Sequence, residues 1–202
     1  MKTTGRIRLR IEGIPHGEPF LSSAFLSYGP RASVDQALSR LTKEGKIARV
    51  TRGVFVRPKK NRFIGMVMPE PGIVAETIGR STGAIVQVHG AEAARRFELT
   101  TQMPTRTIYY TSGPSRHFHV GALEVTLQHV SARKLALAGR PAGLALTALW
   151  YLGRSAVTEG VIKVIAGKLP LAEFEALKSA ITMMPAWMVD AFRQYEQSAQ
   201  HG

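Results

Sequence analysis

The chain has 202 residues and no cysteine, with 27 Lys/Arg against 14 Asp/Glu and a formal net charge of +13. That length holds one medium domain or two small ones, and the missing cysteine excludes disulfides and thiolate metal sites. The longest apolar run, "GLALTALWYLG" at 143–153, is about half of what a membrane span requires, and the basic start "MKTTGRIRLRIEG" has no apolar stretch of signal-peptide type, so a cytoplasmic protein with no membrane partner is expected.

The charge is unevenly placed. Residues 1–62 hold 14 Lys/Arg and 4 Asp/Glu, whereas residues 63–202 hold 13 and 10. A basic block on a nearly balanced body suits a polyanionic partner. A solubilising surface has the same composition, so the arrangement of the charges has to decide.

Residues 6–14, "RIRLRIEGI", read in two ways. Alternating Arg and Ile/Leu suits an exposed strand, while Ile7, Ile11 and Ile14 also fall at helical spacing. "PHGEPF" at 15–20 reads as a loop, and "LSSAFLSYG" at 21–29 as a short helix closed by Gly29. The next helix is clearer. Ser33 is the expected N-cap, because its hydroxyl can accept from a free backbone N–H at the helix start. Val34, Ala37, Leu38 and Leu41 follow at i, i+3, i+4 and i+7 and form one apolar stripe. Gly45 stops the helix as a left-handed residue just past its end. The opposite face carries Ser33, Gln36, Arg40 and Lys43, with Arg31 just ahead of it.

Two short strands, "KIARV" and "VFVRP", are joined by Thr51-Arg52-Gly53, a three-residue hairpin loop with glycine at its left-handed position. Pro58, Lys59 and Lys60 close this part of the chain. Helix, turn, helix and a hairpin tipped by Arg52 is the layout of a winged helix-turn-helix domain. Beyond "KKNRF", residues 70–82 read as a helix, 84–88 as a strand and 91–97 as a short helix. Residues 106–112, 116–120 and 123–131 alternate at period two and predict an antiparallel meander. From residue 144 onward the pattern is helical, with breaks near Gly153, Pro170 and Pro185. The expected fold class is α+β, with a winged helix-turn-helix domain at 1–62 and an α+β domain with a helical tail at 63–202.

Duplex DNA presents one negative charge per roughly 1.7 Å of axis, so cations beside its phosphates gain affinity by releasing counterions. Sequence is chosen at base edges in the major groove, where Arg matches guanine and Gln matches adenine in two-point contacts. Arg31, Ser33, Gln36, Arg40 and Lys43 supply such side chains along one helix. Arg49, Thr51 and Arg52 on the hairpin, with Lys59 and Lys60 behind it, suit backbone or minor-groove contacts. Arg40 has a competing reading as the partner of Glu44 or Asp35 on the helix surface. Lys43 also sits where a cation favours the helix dipole.

"ASVDQALSRLTKEGKIARVTRGVFVRP" resembles the N-terminal winged helix of the AbiEi family of antitoxins from type IV toxin–antitoxin systems. "VHGAEAARRFELTTQMPTRTIYYTSGPSRHFHVG" and "VTLQHVSARKLALAG" resemble the C-terminal antitoxin domain of one branch of that family, and "LTTQMPTRTIYYTSG" is specific to that branch. The likeness spans about residues 6–153. It implies a transcriptional repressor that binds inverted repeats at its own promoter; no catalytic activity and no cofactor are expected. It also implies a C-terminal domain that opposes a nucleotidyltransferase-like toxin without a stable complex, and a first helix at 6–14. Two rivals stand beside this reading: a protein-interaction module that binds a toxin or other partner directly, and a stand-alone regulator without a toxin.

Other constellations are weaker. His117 and His119 share a strand face at i, i+2, but no carboxylate completes a metal-ligand pattern beside them. No nucleophile stands at motif spacing from a base, and the glycines form neither a P-loop nor a dinucleotide fingerprint. The spacing of Met184, Met188 and Phe192 is helical and predicts core packing, with an adaptable partner groove as the alternative.

Overall fold

The computed structural model describes residues 3–63 and 65–201, with the side chains of Lys60, Asn61, Gln200 and His201 outside that description. The protein is α+β. Its contacts divide it into two compact units. One holds the chain up to Ala84 together with Arg116–Thr126, and the other holds Ile85–Ser115 and everything from Leu127 on. The boundary expected at residue 62 thus falls inside the first unit.

The first unit opens with helix α1 (Thr3–Glu12), strand β1 (Pro19–Leu21), a 3-10 turn (Ser22–Tyr28) and helix α2 (Arg31–Lys43). Strands β2 (Ala48–Thr51) and β3 (Val54–Val56) follow. The helical reading of the N-terminal segment holds, since Ile7 and Ile11 are both buried in α1. The helix starts and ends earlier than expected, and Ile14 packs on the core from beyond it. Residues 15–20 are not wholly loop, because Pro19 and Phe20 begin β1; three residues are too few for a period-two pattern to show. The expected helix at 21–29 is the 3-10 turn, one residue shorter at each end.

In α2, Val34, Ala37, Leu38 and Leu41 are the buried residues, so the i, i+3, i+4, i+7 stripe is realised in full. They meet Ile7 and Ile11 of α1, Phe25 and Ile47 in one core. Phe20 joins it, with Phe25 edge-on at 5.6 Å and Phe55 stacked at 6.2 Å. Ser33 does not cap the helix. The first turn begins at Arg31, and the Pro30 carbonyl accepts from the Val34 N–H at 3.1 Å. Pro30 has no N–H to leave unpaired and its fixed φ (−55°) suits the position, so Ser33 lies inside the first turn. The C-terminus follows expectation. Gly45 at φ +68° lets its own N–H reach the Thr42 carbonyl and the Lys46 N–H reach the Leu41 carbonyl, both at 3.0 Å, a Schellman closure that satisfies two otherwise orphaned acceptors.

The three strands form an antiparallel sheet in the order β1-β3-β2. Thr51 pairs with Val54, so the hairpin turn is Arg52-Gly53 alone, shorter than the three residues expected, and a bulge between Arg49 and Thr51 absorbs the difference. A second ribbon, β4 (Lys59–Asn61) paired with β5 (Gly65–Val67), follows at once, where no strand is expected from the sequence. Helix α3 (Pro71–Arg80) packs near β1 and completes the unit with strand β8 (Arg116–Val120), which lies beside β2, and most of strand β9 (Leu123–His129).

The second unit contains β6 (Val86–Val88), helix α4 (Gly90–Arg96), β7 (Thr107–Thr111) and helices α5 (Pro141–Leu152), α6 (Glu159–Lys168), α7 (Leu171–Ser179) and α8 (Ala186–His201). β6 and β7 pair antiparallel, with Val86 opposite Thr111. The end of β9 that belongs to this unit lies beside β7, where a meander would have put β8. All three expected helix breaks occur: Gly153 ends α5, Pro170 precedes α7 and Pro185 precedes α8. Ala93 and Ala94 of α4 face Ala142, Ala145 and Ala148 of α5, and small side chains on both helices allow a close approach. Met184, Met188 and Phe192 are buried in this core, as their spacing predicts.

Candidate nucleic-acid interface

Helix α2 turns by about 100° per residue, so burying Val34, Ala37, Leu38 and Leu41 forces Gln36, Ser39 and Lys43 toward solvent. The flanks of that face have different neighbours. On one side a groove of about 590 Å³ separates α2 from the β2–β3 hairpin, and Arg31, Asp35, Lys43, Arg49 and Arg52 line it. On the other, Ser33, Gln36 and Arg40 border a depression of about 330 Å³ beside Thr3 and Thr4 of α1. The expected single face is therefore two adjoining ones. Thr51 ends β2, half-buried, and its carbonyl accepts from Arg49 Nε at 3.4 Å. Lys59 lies elsewhere, in a cleft of about 600 Å³ with Arg8, Lys46 and Arg57. The side chain of Lys60 falls outside the described residues.

The groove is strongly cationic. Asp35 is its one acidic lining residue, and it pairs with Arg31 at 2.8 Å with both side chains more than half exposed. Such a pair contributes roughly 0–1 kcal/mol, so Arg31 can exchange its carboxylate for a phosphate at little cost. Neither pairing weighed for Arg40 occurs: Asp35 goes to Arg31, and Glu44 goes to Arg8 at 2.7 Å. Among the described residues, Arg40, Lys43, Arg49 and Arg52 have no acidic partner.

Sequence reasoning missed the cleft. Arg57 is a local brace there, donating from Nη1 to the Glu12 and Ile14 carbonyls at 2.7 Å each, which closes the C-terminal end of α1. His16 bonds through Nδ1 to the Pro58 carbonyl at 2.8 Å. The only sequence signal for this cleft is the density of cations after Gly45; the pairing of α1 with residues about 45 positions later is a tertiary event.

In the second unit several groups have shifted ionisation. His89 caps α4, with Nδ1 accepting from the Ala91 N–H at 3.2 Å, and its ring packs 4.8 Å from Tyr110 and 5.7 Å from Tyr151. Burial lowers the His89 pKa and raises that of Tyr110. Glu92 is lowered to about 2, chiefly by hydrogen bonding from Arg95 through Nε and Nη2, and Arg96 adds a further bond. These contacts hold a helix start together. His117 hydrogen-bonds Thr126 at 3.0 Å through Nδ1 and His119 is exposed. Among the described residues no group of three His, Cys, Asp or Glu is arranged to hold a metal ion, and no helix is long and apolar enough to cross a membrane.

The architecture is thus α+β, with a cationic groove between a helix and a hairpin in its first unit. The chain belongs to a family of unknown function (DUF6088), whose model matches residues 6–176. It matches no curated protein and no solved structure.

Proposed function

We propose that this protein is a sequence-specific duplex-DNA-binding repressor whose N-terminal portion is a winged helix-turn-helix, with α2 as the recognition helix and the β2–β3 hairpin as the wing. The order α1, β1, 3-10 turn, α2, β2, β3 with a β1-β3-β2 sheet supports the winged-helix reading. One observation carries the DNA-binding reading: Arg31, Lys43, Arg49 and Arg52, from two separate elements, converge on one groove that holds a single carboxylate. A major groove about 12 Å wide admits a helix, and the hairpin then rests on the flanking backbone. Autoregulation at inverted repeats, and an antitoxin role against a nucleotidyltransferase-like toxin, rest on the sequence resemblance to the AbiEi family.

Footprinting on the upstream region of the protein's own gene tests this directly, with the affinity followed over 50–200 mM salt. With about six phosphate contacts, log affinity falls against log salt with a slope near −5. Protection absent at every site even in dilute buffer would sink the assignment. Co-purification of a tight complex with the product of the neighbouring gene would favour a direct protein-interaction role instead.

A further inference from the structure

The cationic surface continues beyond the wing. Between Glu44 and Glu70 the chain carries seven Lys/Arg and no Asp/Glu. Arg49 and Arg52 line the α2 groove, and Arg57 and Lys59 meet Lys46 in the cleft at the C-terminal end of α2. Lys59 is also the first residue of the β4–β5 ribbon, where it pairs with Val67. Cations of this stretch therefore line the groove, the cleft at the end of α2, where Glu12 is the acidic lining residue, and the first position of the ribbon.

The ribbon's turn opens with Arg62 and Phe63. Phe63 is 81 % exposed, the highest value among the described large apolar side chains, and the Arg62 guanidinium lies 4.7 Å from its ring centroid. The ribbon pairs with no third strand among the described residues, and an isolated two-stranded hairpin is marginal in water. A single exposed apolar side chain is ordinary on a protein surface. Phe63 differs by its setting, at the end of a thin basic ribbon, under a guanidinium, in a stretch free of carboxylates. Cations that follow a phosphate backbone, combined with an apolar wedge at the tip, are what minor-groove binders use to press into a base step.

We infer that the β4–β5 ribbon is a second DNA-contacting element, lying on the duplex beside the segment held by α2 and pressing Phe63 against a base step. This rests on the DNA-binding reading above and adds an element to it. An anionic membrane surface would also accept basic and aromatic side chains, but the ribbon follows directly in sequence on the cationic hairpin proposed to meet DNA, which favours the same duplex.

The test uses the full chain and duplexes from its footprinted upstream region, with 2-aminopurine placed in turn at each step flanking the protected site. Insertion unstacks the probe, so the wild-type protein should raise its fluorescence at one flanking step. Phe63→Ala, checked for folding by circular dichroism, should abolish that rise and weaken binding about tenfold, the scale of one lost aromatic–base stack, with the salt slope unchanged. Phe63→Leu should keep part of the rise. Arg62→Ala should flatten the slope by about one. If the wild type binds with no probe response, or Phe63→Ala matches it in both affinity and fluorescence, the ribbon proposal is overturned while the groove assignment stands. Tighter Phe63-dependent binding to phosphatidylserine vesicles than to duplex would overturn it as well. A wild type that binds no duplex removes both.

Discussion

Arg52 and Gln36 are both exposed, and on the proposed DNA-binding reading they do different work. Arg52 stands at the hairpin turn, where a backbone phosphate would sit; Gln36 points outward from the middle of α2, where base edges would. Replacing Arg52 with alanine should weaken all DNA sites alike and flatten the salt slope by about one unit. Gln36→Ala should change site preference instead, costing about 1–3 kcal/mol at one base pair. Competition binding with single-base-pair operator variants separates the two, and equal losses on every sequence from both changes would argue against these roles. Ser33 shows where residue-level reading fails. A serine before an apolar stripe is a sound N-cap signal, but Pro30 accepted the first helical hydrogen bond and left Ser33 inside the turn. Ionisation gives a second residue-scale expectation. Protonating His89 would remove the acceptor that holds the Ala91 N–H and put a cation at a helix N-terminus. Its folded pKa lies below 6.5, so the neutral ring's stabilisation is complete above pH 6.5 and is lost as pH falls toward the folded value. Urea midpoints at pH 7.5 and 5.5 should therefore differ, and His89→Asn, which keeps a capping oxygen, should reduce that difference. Glu92 acts in a separate and more acidic window: its folded pKa of about 2 lies below 4.5, so its contribution fades only as pH drops from 4.5 toward 2.

Among the elements, those with a buried periodic face were readable and those without one were not. Helix α2 was legible because four apolar side chains at 3.6-residue spacing can be buried together only one way. Leu38→Ala, at a site 1 % exposed, should cost about 2–5 kcal/mol in urea unfolding. The helices after α5 were legible through Gly153, Pro170 and Pro185, which end or precede helices whatever the tertiary setting. By contrast β1 and β4 contain no β-branched residue and β5 only one, whereas β3 and β6, of the same length, have two each. Gly143 illustrates a contact with no sequence signal. It lies inside α5, where glycine is ordinarily costly, and a Cβ there would run into the Leu137 carbonyl. Backbone cannot yield as a flexible side chain does, so Gly143→Ala should destabilise the second unit by about 2 kcal/mol or more despite its better helix propensity. A midpoint at or above that of the wild type would show that the neighbouring turn relaxes freely.

At the scale of the whole molecule, the charge asymmetry was plain in the sequence, and the groove that collects it was not, because Arg31 and Arg52 meet only after the sheet has formed. The α+β class was readable from the mixture of periods. The path of the chain was not, since nothing in "RHFHV" announces that β8 rejoins a unit begun more than a hundred residues earlier. A fragment ending at Ala84 would lack the β8 segment that packs against the edge strand β2, leaving that edge more open. It should unfold at lower urea than the same unit in the full chain, or self-associate in sedimentation runs.

That return of Arg116–Thr126 also bears on synthesis. The 42 residues between Ala84 and Thr126 take roughly 2–8 s to translate at about 5–20 residues per second. For that interval the nascent chain holds its basic helix and ribbon without the segment that completes their unit.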